Sequence, residues 1–414
     1  MKEMTYTDLE TGKVMESYRY SYDKNSNITE KTEVNNYPKE EKDKVNETKA
    51  YTYDALGRLT KTVTTDHKND DKTKTVTYHK AGNRTTVNEV RQYSYDANGN
   101  QTDVKNTKTG QTESYTYDAE NRLSKVSVTD KDGKTAVIQQ NRYNGDGQRI
   151  QKVEGSKTTN YYYQDGVVSY TTDGDNIQTS QNLIGTDGNI LATQRYGSDH
   201  TDYLLYHKDI QGSTTSLVKE DGSVDATYQY TDFGQTTING DNKAENEVCY
   251  TGGIYDQSTG LYYLNARYYN PEDGRFVTED SYRGEVDDPD TGHLYGYCAN
   301  NPVNYVDPSG HFAIAVPYLV KLVLAGGTVI YVYYSTWKWH SPKTRYSGRR
   351  ISHRTTIFKW IVARAIRHRI KKYAPHETNK TKANKEKHEK GDARRNRDQG
   401  GEKKKQKKGW KSRK

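Results

Sequence analysis

Three groups of residues in this 414-residue chain have types and spacings that could do chemistry. Near the C-terminus, His388, Glu389, Asp392, Arg394, Arg395, Arg397 and Asp398 crowd into one stretch. A histidine, carboxylates and clustered guanidiniums are the parts that break a phosphodiester: a base, a metal ligand and a clamp on transition-state charge. His388, Glu389 and Asp398 are therefore candidate catalytic residues of a nuclease. A solvated polyelectrolyte tail explains the same residues. No pair has strong metal-ligand spacing, and His-Glu-Lys-Gly is not a zinc-protease signature. No metal or other cofactor is expected. In the second group, Asp307-Pro308-Ser309-Gly310 suits a type I turn, with Asp, Pro and Gly each in a favoured place. The third is the pair Cys249 and Cys298, which lacks metal-ligand or disulfide-rich spacing. Unpaired buried thiols are the expectation and a single bridge the alternative.

Little is available to hold the tail cluster in place. From His376 onward the one large apolar side chain is Trp410, so this segment cannot fold alone. Upstream, residues 357–373 carry Phe358, Val362, Ile366 and Ile370 every four positions, with Lys359, Arg364, Arg367 and Lys371 off that stripe. The pattern predicts an amphipathic helix suited to an anionic membrane surface or to nucleic acid, ended by Pro375. A helix packed in a core is the alternative. Residues 312–334 contain one charge, Lys321, and are long enough to span a bilayer; Trp337 and Trp339 follow as an interfacial belt. A buried hairpin is the competing reading, favoured by the β-branched run after Gly326-Gly327.

The rest of the chain is of another kind. Residues 312–414 hold 29 Lys+Arg and 6 Asp+Glu, a net +23, which leaves 34 against 49, a net −15, in residues 1–311. Leu, Ile, Val and Phe are scarce, which argues for disorder, but 38 tyrosines against 4 phenylalanines argue back. Tyrosine favours strands and buries a large ring. The body therefore reads as all-β; too few Leu and Ala exist for a helical bundle. The N-terminus has no apolar leader, so a chain without its own signal peptide is expected, beginning in mid-pattern as a fragment would.

Repeats support that reading. Tyr20-Ser-Tyr22-Asp23, Tyr51-Thr-Tyr53-Asp54, Tyr93-Ser-Tyr95-Asp96 and Tyr115-Thr-Tyr117-Asp118 each lead into a Gly/Asn turn and an alternating strand. Degenerate copies lie at Tyr78 and Tyr143. Tyr-x-Tyr puts two rings on one strand face, and the turn makes a hairpin that cannot bury that face alone. Stacked antiparallel hairpins with a tyrosine-lined interior are predicted.

These units resemble the YD repeats of Rhs-type bacterial surface proteins. Gly260-Leu-Tyr-Tyr-Leu-Asn265-Ala-Arg267 through Arg275-Phe276-Val-Thr-Glu-Asp280, and Leu294 through Gly310, resemble the family's repeat-associated core. The resemblance implies YD repeats over 1–240, the core over 241–311, the apolar segment 312–334 and a basic variable region 335–414. It implies the C-terminal part of a polymorphic toxin, secreted or at the cell surface, possessing an incomplete repeat shell and an effector tail that acts on membrane or nucleic acid. A cognate immunity protein would be its partner. The alternative is a non-enzymatic adhesion protein binding glycans through exposed aromatics. Related shells cut their own chain after Asp-Pro-x-Gly-Leu with aspartates as acid and base, and Asp307 matches that aspartate. His311 stands where leucine is usual, and Asp287, Asp288 and Asp290 are carboxylates close by in sequence.

Overall fold

The computed structural model describes residues 2–316, apart from 9–10, 79–90, 186–187, 198–199, 243, 282–292 and 312. The apolar segment from 317 onward, the amphipathic stretch and the tail cluster lie outside the described residues. Among the described residues no helix is long and apolar enough to cross a membrane. The first residues of the apolar segment join the body instead: Ile314–Ala315 is a strand paired with Tyr305–Val306, and Val316 is buried.

The body is all-β and antiparallel. Six strands, from Glu3–Thr7 to Lys72–Thr77, form one sheet in chain order. Fourteen more, from Arg91–Tyr95 to Thr236–Gly240, form a second, again in chain order. The stacked antiparallel hairpins expected from the repeats are present. The returning strand of each hairpin is also paired with the next strand, so the units merge edge to edge and leave few unpaired edges.

One local rule recurs at the turns. The second tyrosine pairs with the residue six positions on: Tyr22 with Ile28, Tyr53 with Leu59, Tyr95 with Gln101, Tyr117 with Leu123 and Tyr143 with Arg149. At each pair the register slips, as at a β-bulge. The intervening aspartate closes the turn through its side chain. Asp118 Oδ1 accepts the Glu120 and Arg122 amides at 3.0 and 2.9 Å, and Asp54 holds Leu56 and Arg58 likewise, both at 3.0 Å. Burial pulls the Asp54 carboxyl upward, but hydrogen bonds from Arg58 prevail and hold it below its ordinary range.

The slip also creates a demand. A carbonyl at a bulge loses its regular ladder partner, and here the next unit's tyrosine hydroxyl donates to it. Tyr53 reaches Ile28 O at 2.6 Å, Tyr117 reaches Gln101 O at 2.7 Å, Tyr143 reaches Leu123 O at 2.6 Å and Tyr163 reaches Arg149 O at 2.7 Å. Burial raises the pKa of each of these phenols, so all remain protonated donors.

The inner face of this wall is filled by the core module. Its four strands, Ile254–Asp256, Leu261–Leu264, Arg267–Asn270 and Arg275–Phe276, form a small sheet. Tyr262, Tyr269 and Tyr297 pack with Leu204, Leu217 and Tyr228 of the long sheet, while Val303, Val306 and Val316 pack with Tyr18, Ile28 and Leu59 of the short one. Cys249 and Cys298 are buried and unpaired.

Arg149 departs from the repeat pattern. It occupies the inward place of Ile28, Leu59 and Leu123, and the neighbouring Ile150 faces solvent. The guanidinium pairs with Asp256 of the core module and donates to the Tyr268 hydroxyl at 2.9 Å; both charged side chains are fully buried. Tyr161 and Tyr263 rings lie 4.9 and 4.8 Å from it. Lys152 adds contacts of 2.7 Å to Glu247 and 3.2 Å to Asp256. Burial works against the Asp256 carboxylate, yet Arg149 and Lys152 hold its pKa below the ordinary value. Removing one partner strands a buried charge. Asp256→Asn should therefore cost about 3–5 kcal/mol in urea unfolding of the full chain, with Arg149→Met plus Asp256→Leu recovering most of that loss.

Candidate functional site

The Asp307 turn is docked on the tip of the hairpin between Leu261–Leu264 and Arg267–Asn270. Ala266 N donates to Ser309 O at 3.1 Å and Asn265 Nδ2 to Pro308 O at 3.3 Å. Asp307 is buried and shapes the turn itself: its Oδ1 accepts from Gly310 N at 2.8 Å, His311 N at 3.1 Å and Ser309 Oγ at 3.1 Å. Gly310 has φ +75°, and a Cβ there would stand 2.6 Å from Leu264 O. Asp-Pro-Ser-Gly is thus a turn, as read from sequence, and it also presents Gly310 and His311 to the core module.

Arg267 meets it there. Its guanidinium donates through Nε to Gly310 O and through Nη1 to Leu294 O at 3.0 Å, and Nη2 lies 2.7 Å from Asp280 Oδ2. The Phe276 ring lies under the guanidinium, 3.6 Å from its centroid. Burial pushes the Arg267 pKa down, while Asp280 and Asp307 oppose that loss of charge. Asp280 Oδ1 stands 3.5 Å from His311 Nδ1. Two carboxylates and one guanidinium therefore converge on residues 310–311.

That convergence has chemical meaning. Peptide hydrolysis by carboxylates needs one group to take a proton from water and another to give one to the leaving nitrogen. A cavity of about 460 Å³, lined by Arg267, Ser309 and His311 and by Arg122, Tyr143 and Gln148 of the repeat turns, leaves room for water beside Arg267 and His311.

Of the residues singled out by sequence, Asp307 is in this site, while Asp287, Asp288, Asp290, His388, Glu389 and Asp398 lie outside the described residues. Asp280 and Arg267 had no role from sequence reasoning. Both sit inside the core text, and only the fold brings them to Asp307. Among the described residues no group of three or more His, Cys, Asp or Glu side chains could hold a metal ion. Because Gly310 has no space for a side chain, Gly310→Ala should lower stability by roughly 1–3 kcal/mol in urea unfolding.

Comparison with known proteins accords with this architecture. Residues 2–303 match the family model described as Teneurin YD-shell. A tRNA3(Ser)-specific nuclease, WapA, of Bacillus spizizenii is 34% identical over 266 residues, covering 63% of this chain and 11% of the relative. The double-stranded DNA deaminase toxin A of Burkholderia cenocepacia is 27% identical over 241 residues, covering 51% of this chain and 16% of the relative. The crystal structure of TcdB2-TccC3 superposes with a TM-score of 0.52 at 19% identity, over 75% of this chain and 18% of that one. The chain thus spans only about a tenth of the length of the nuclease relative it matches.

Proposed function

The chain belongs to the Teneurin YD-shell family, and from that premise we propose that it is the shell-and-junction part of a secreted or cell-surface polymorphic toxin, which cuts itself to free a basic effector tail. One observation carries the reading: Asp280 and Asp307, with Arg267 between them, converge on Gly310–His311.

The step follows from this geometry. Asp280, paired with Arg267 Nη2 at 2.7 Å, takes a proton from water as the water oxygen attacks the His311 carbonyl carbon. Asp307, entering the step as the neutral carboxylic acid, gives its proton to the amide nitrogen of residue 312, and the C–N bond breaks. The products are a carboxylate at 311 and an amine at 312; no other reactant is consumed. Arg267, donating to Gly310 O, fixes the strand position of the peptide ahead of the cut.

Purified full-length chain should yield a piece corresponding to residues 312–414, read by mass spectrometry. Asp280→Asn and Asp307→Asn should each abolish it, whereas Asp146→Asn, at the rim of the same cavity, should leave it intact. Persistent full-length protein, or cutting that survives both changes, would contradict the reading.

For the freed tail, the net charge of +23 and the relatives named as a tRNA nuclease and a DNA deaminase favour nucleic acid as the target. Membrane action through residues 312–373 is the competing reading. In a bacterium expressing the full chain, His388→Ala with Glu389→Ala should relieve growth arrest on the nucleic-acid reading. Relief instead by Val323→Lys with Val329→Lys would point to the membrane.

A further inference from the structure

We propose that Asn144 is a site of spontaneous deamidation, which converts this one repeat turn from its asparagine form to the aspartate form of the others. The chain has three Asn-Gly pairs, Asn98-Gly99, Asn144-Gly145 and Asn239-Gly240. In such a pair the glycine amide nitrogen, after losing its proton to water, can attack the asparagine Cγ. The N–Cγ bond forms, the Cγ–Nδ2 bond breaks, and ammonia leaves a five-membered imide. Water then opens the imide at one of its two carbonyls, giving aspartate or its isomer with the chain routed through the side chain. Only water is consumed and no oxidant is required.

The fold treats the three pairs differently. Asn144 occupies the turn position held by Asp23, Asp54, Asp96 and Asp118 in neighbouring repeats. Its Oδ1 accepts two backbone amides, Asp146 N at 3.1 Å and Gln148 N at 2.9 Å. Those donors face the oxygen on which negative charge grows as Cγ becomes tetrahedral, as in an oxyanion hole. Gly145 is exposed, and a Cβ built on it would meet nothing within 4 Å, so the imide has space to close.

The other two pairs lack these features. The Gly99 amide, the attacking group of its pair, already donates to Asp96 O at 3.1 Å. The leaving nitrogen does not separate the two, since Asn98 Nδ2 donates to Asn121 Oδ1 at 3.1 Å and Asn144 Nδ2 to Gln148 Oε1 at 3.0 Å. Asn239 and Gly240 are in a paired strand, opposite Thr227 and Ala226. The aspartate product at 144 would keep both backbone turn hydrogen bonds, and the Nδ2 donation to Gln148 Oε1 would be replaced by Gln148 turning its amide to donate, as Asn100 Nδ2 donates to Asp96 at 2.9 Å. It would also place a new negative charge close to Arg122, whose Nη1 donates to Asn144 O at 3.1 Å.

The test is peptide mapping of the intact full chain, aged in warm, mildly alkaline buffer, beside a urea-unfolded sample. In the folded chain Asn144 should convert roughly tenfold faster than Asn98, with Asn239 slowest. In the unfolded sample the three should converge. Gly145→Ala should suppress conversion at 144 alone, and Asn144→Asp should unfold at the same urea concentration as the parent. Faster conversion at Asn98, the same ranking folded and unfolded, or a destabilised Asn144→Asp chain would each overturn the proposal.

Discussion

The wall depends on a tyrosine hydroxyl meeting a carbonyl that its own ladder has lost. The Tyr turns with the six-residue pairing slip the register, and at Ile28, Gln101, Leu123 and Arg149 the carbonyl beside the slip is taken by a tyrosine hydroxyl. Leaving such a group unmade costs about 1–3 kcal/mol, more than an ordinary hydrogen bond contributes. The hydroxyl of the following unit fills the need at 2.6–2.7 Å in repeat after repeat. Phenylalanine would bury a more apolar ring and leave the carbonyl unpaired. This explains how a chain with 38 tyrosines and 4 phenylalanines builds a folded body from so few aliphatic residues. It also couples each unit to the one before it, which is why the hairpins form continuous sheets.

The core module uses the same wall for a different purpose. Where three repeats turn an aliphatic side chain inward, the Tyr143 unit turns in Arg149, and that charge is neutralised from the core module by Asp256. A buried ion pair is a weak source of net stability but a strict condition on what fits beside it. Tyr263 and Tyr268 contact Arg149 on one side; the hairpin they belong to carries Arg267 and receives the Asp307 turn on the other. The lock and the candidate cutting site are therefore built on one short hairpin.

Much of this was legible beforehand, in specific places. Tyr-x-Tyr-Asp with its turn residues announced antiparallel strands, because period-two aromatics followed by Asp and Gly have few other solutions. Asp-x-x-Gly marks the turn, but the pattern does not show that Asp118 and its equivalents close it by accepting two backbone amides. In the Tyr143 unit the inward position that Leu59 and Leu123 hold falls on Arg149, and the apolar Ile150 beside it is exposed. Asp307 stood out through its proline and glycine. Asp280 did not, because its meeting with Asp307 comes from tertiary packing around Arg267 and leaves no local mark in the chain.

The central claim is that hydroxyls, and not aromatic area, hold the wall together. Its most direct test replaces Tyr53, Tyr117, Tyr143, Tyr163 and Tyr230, the last of which donates to Thr214 O at 2.6 Å, together with phenylalanine and follows urea unfolding by circular dichroism. At about 1 kcal/mol each, the five losses should sum to roughly 5 kcal/mol, a large share of the ~5–15 kcal/mol that keeps a domain folded. The account predicts a β-rich chain with a sharply lowered unfolding midpoint, or one that no longer folds. A fivefold variant as stable as the parent, or more stable, would contradict it.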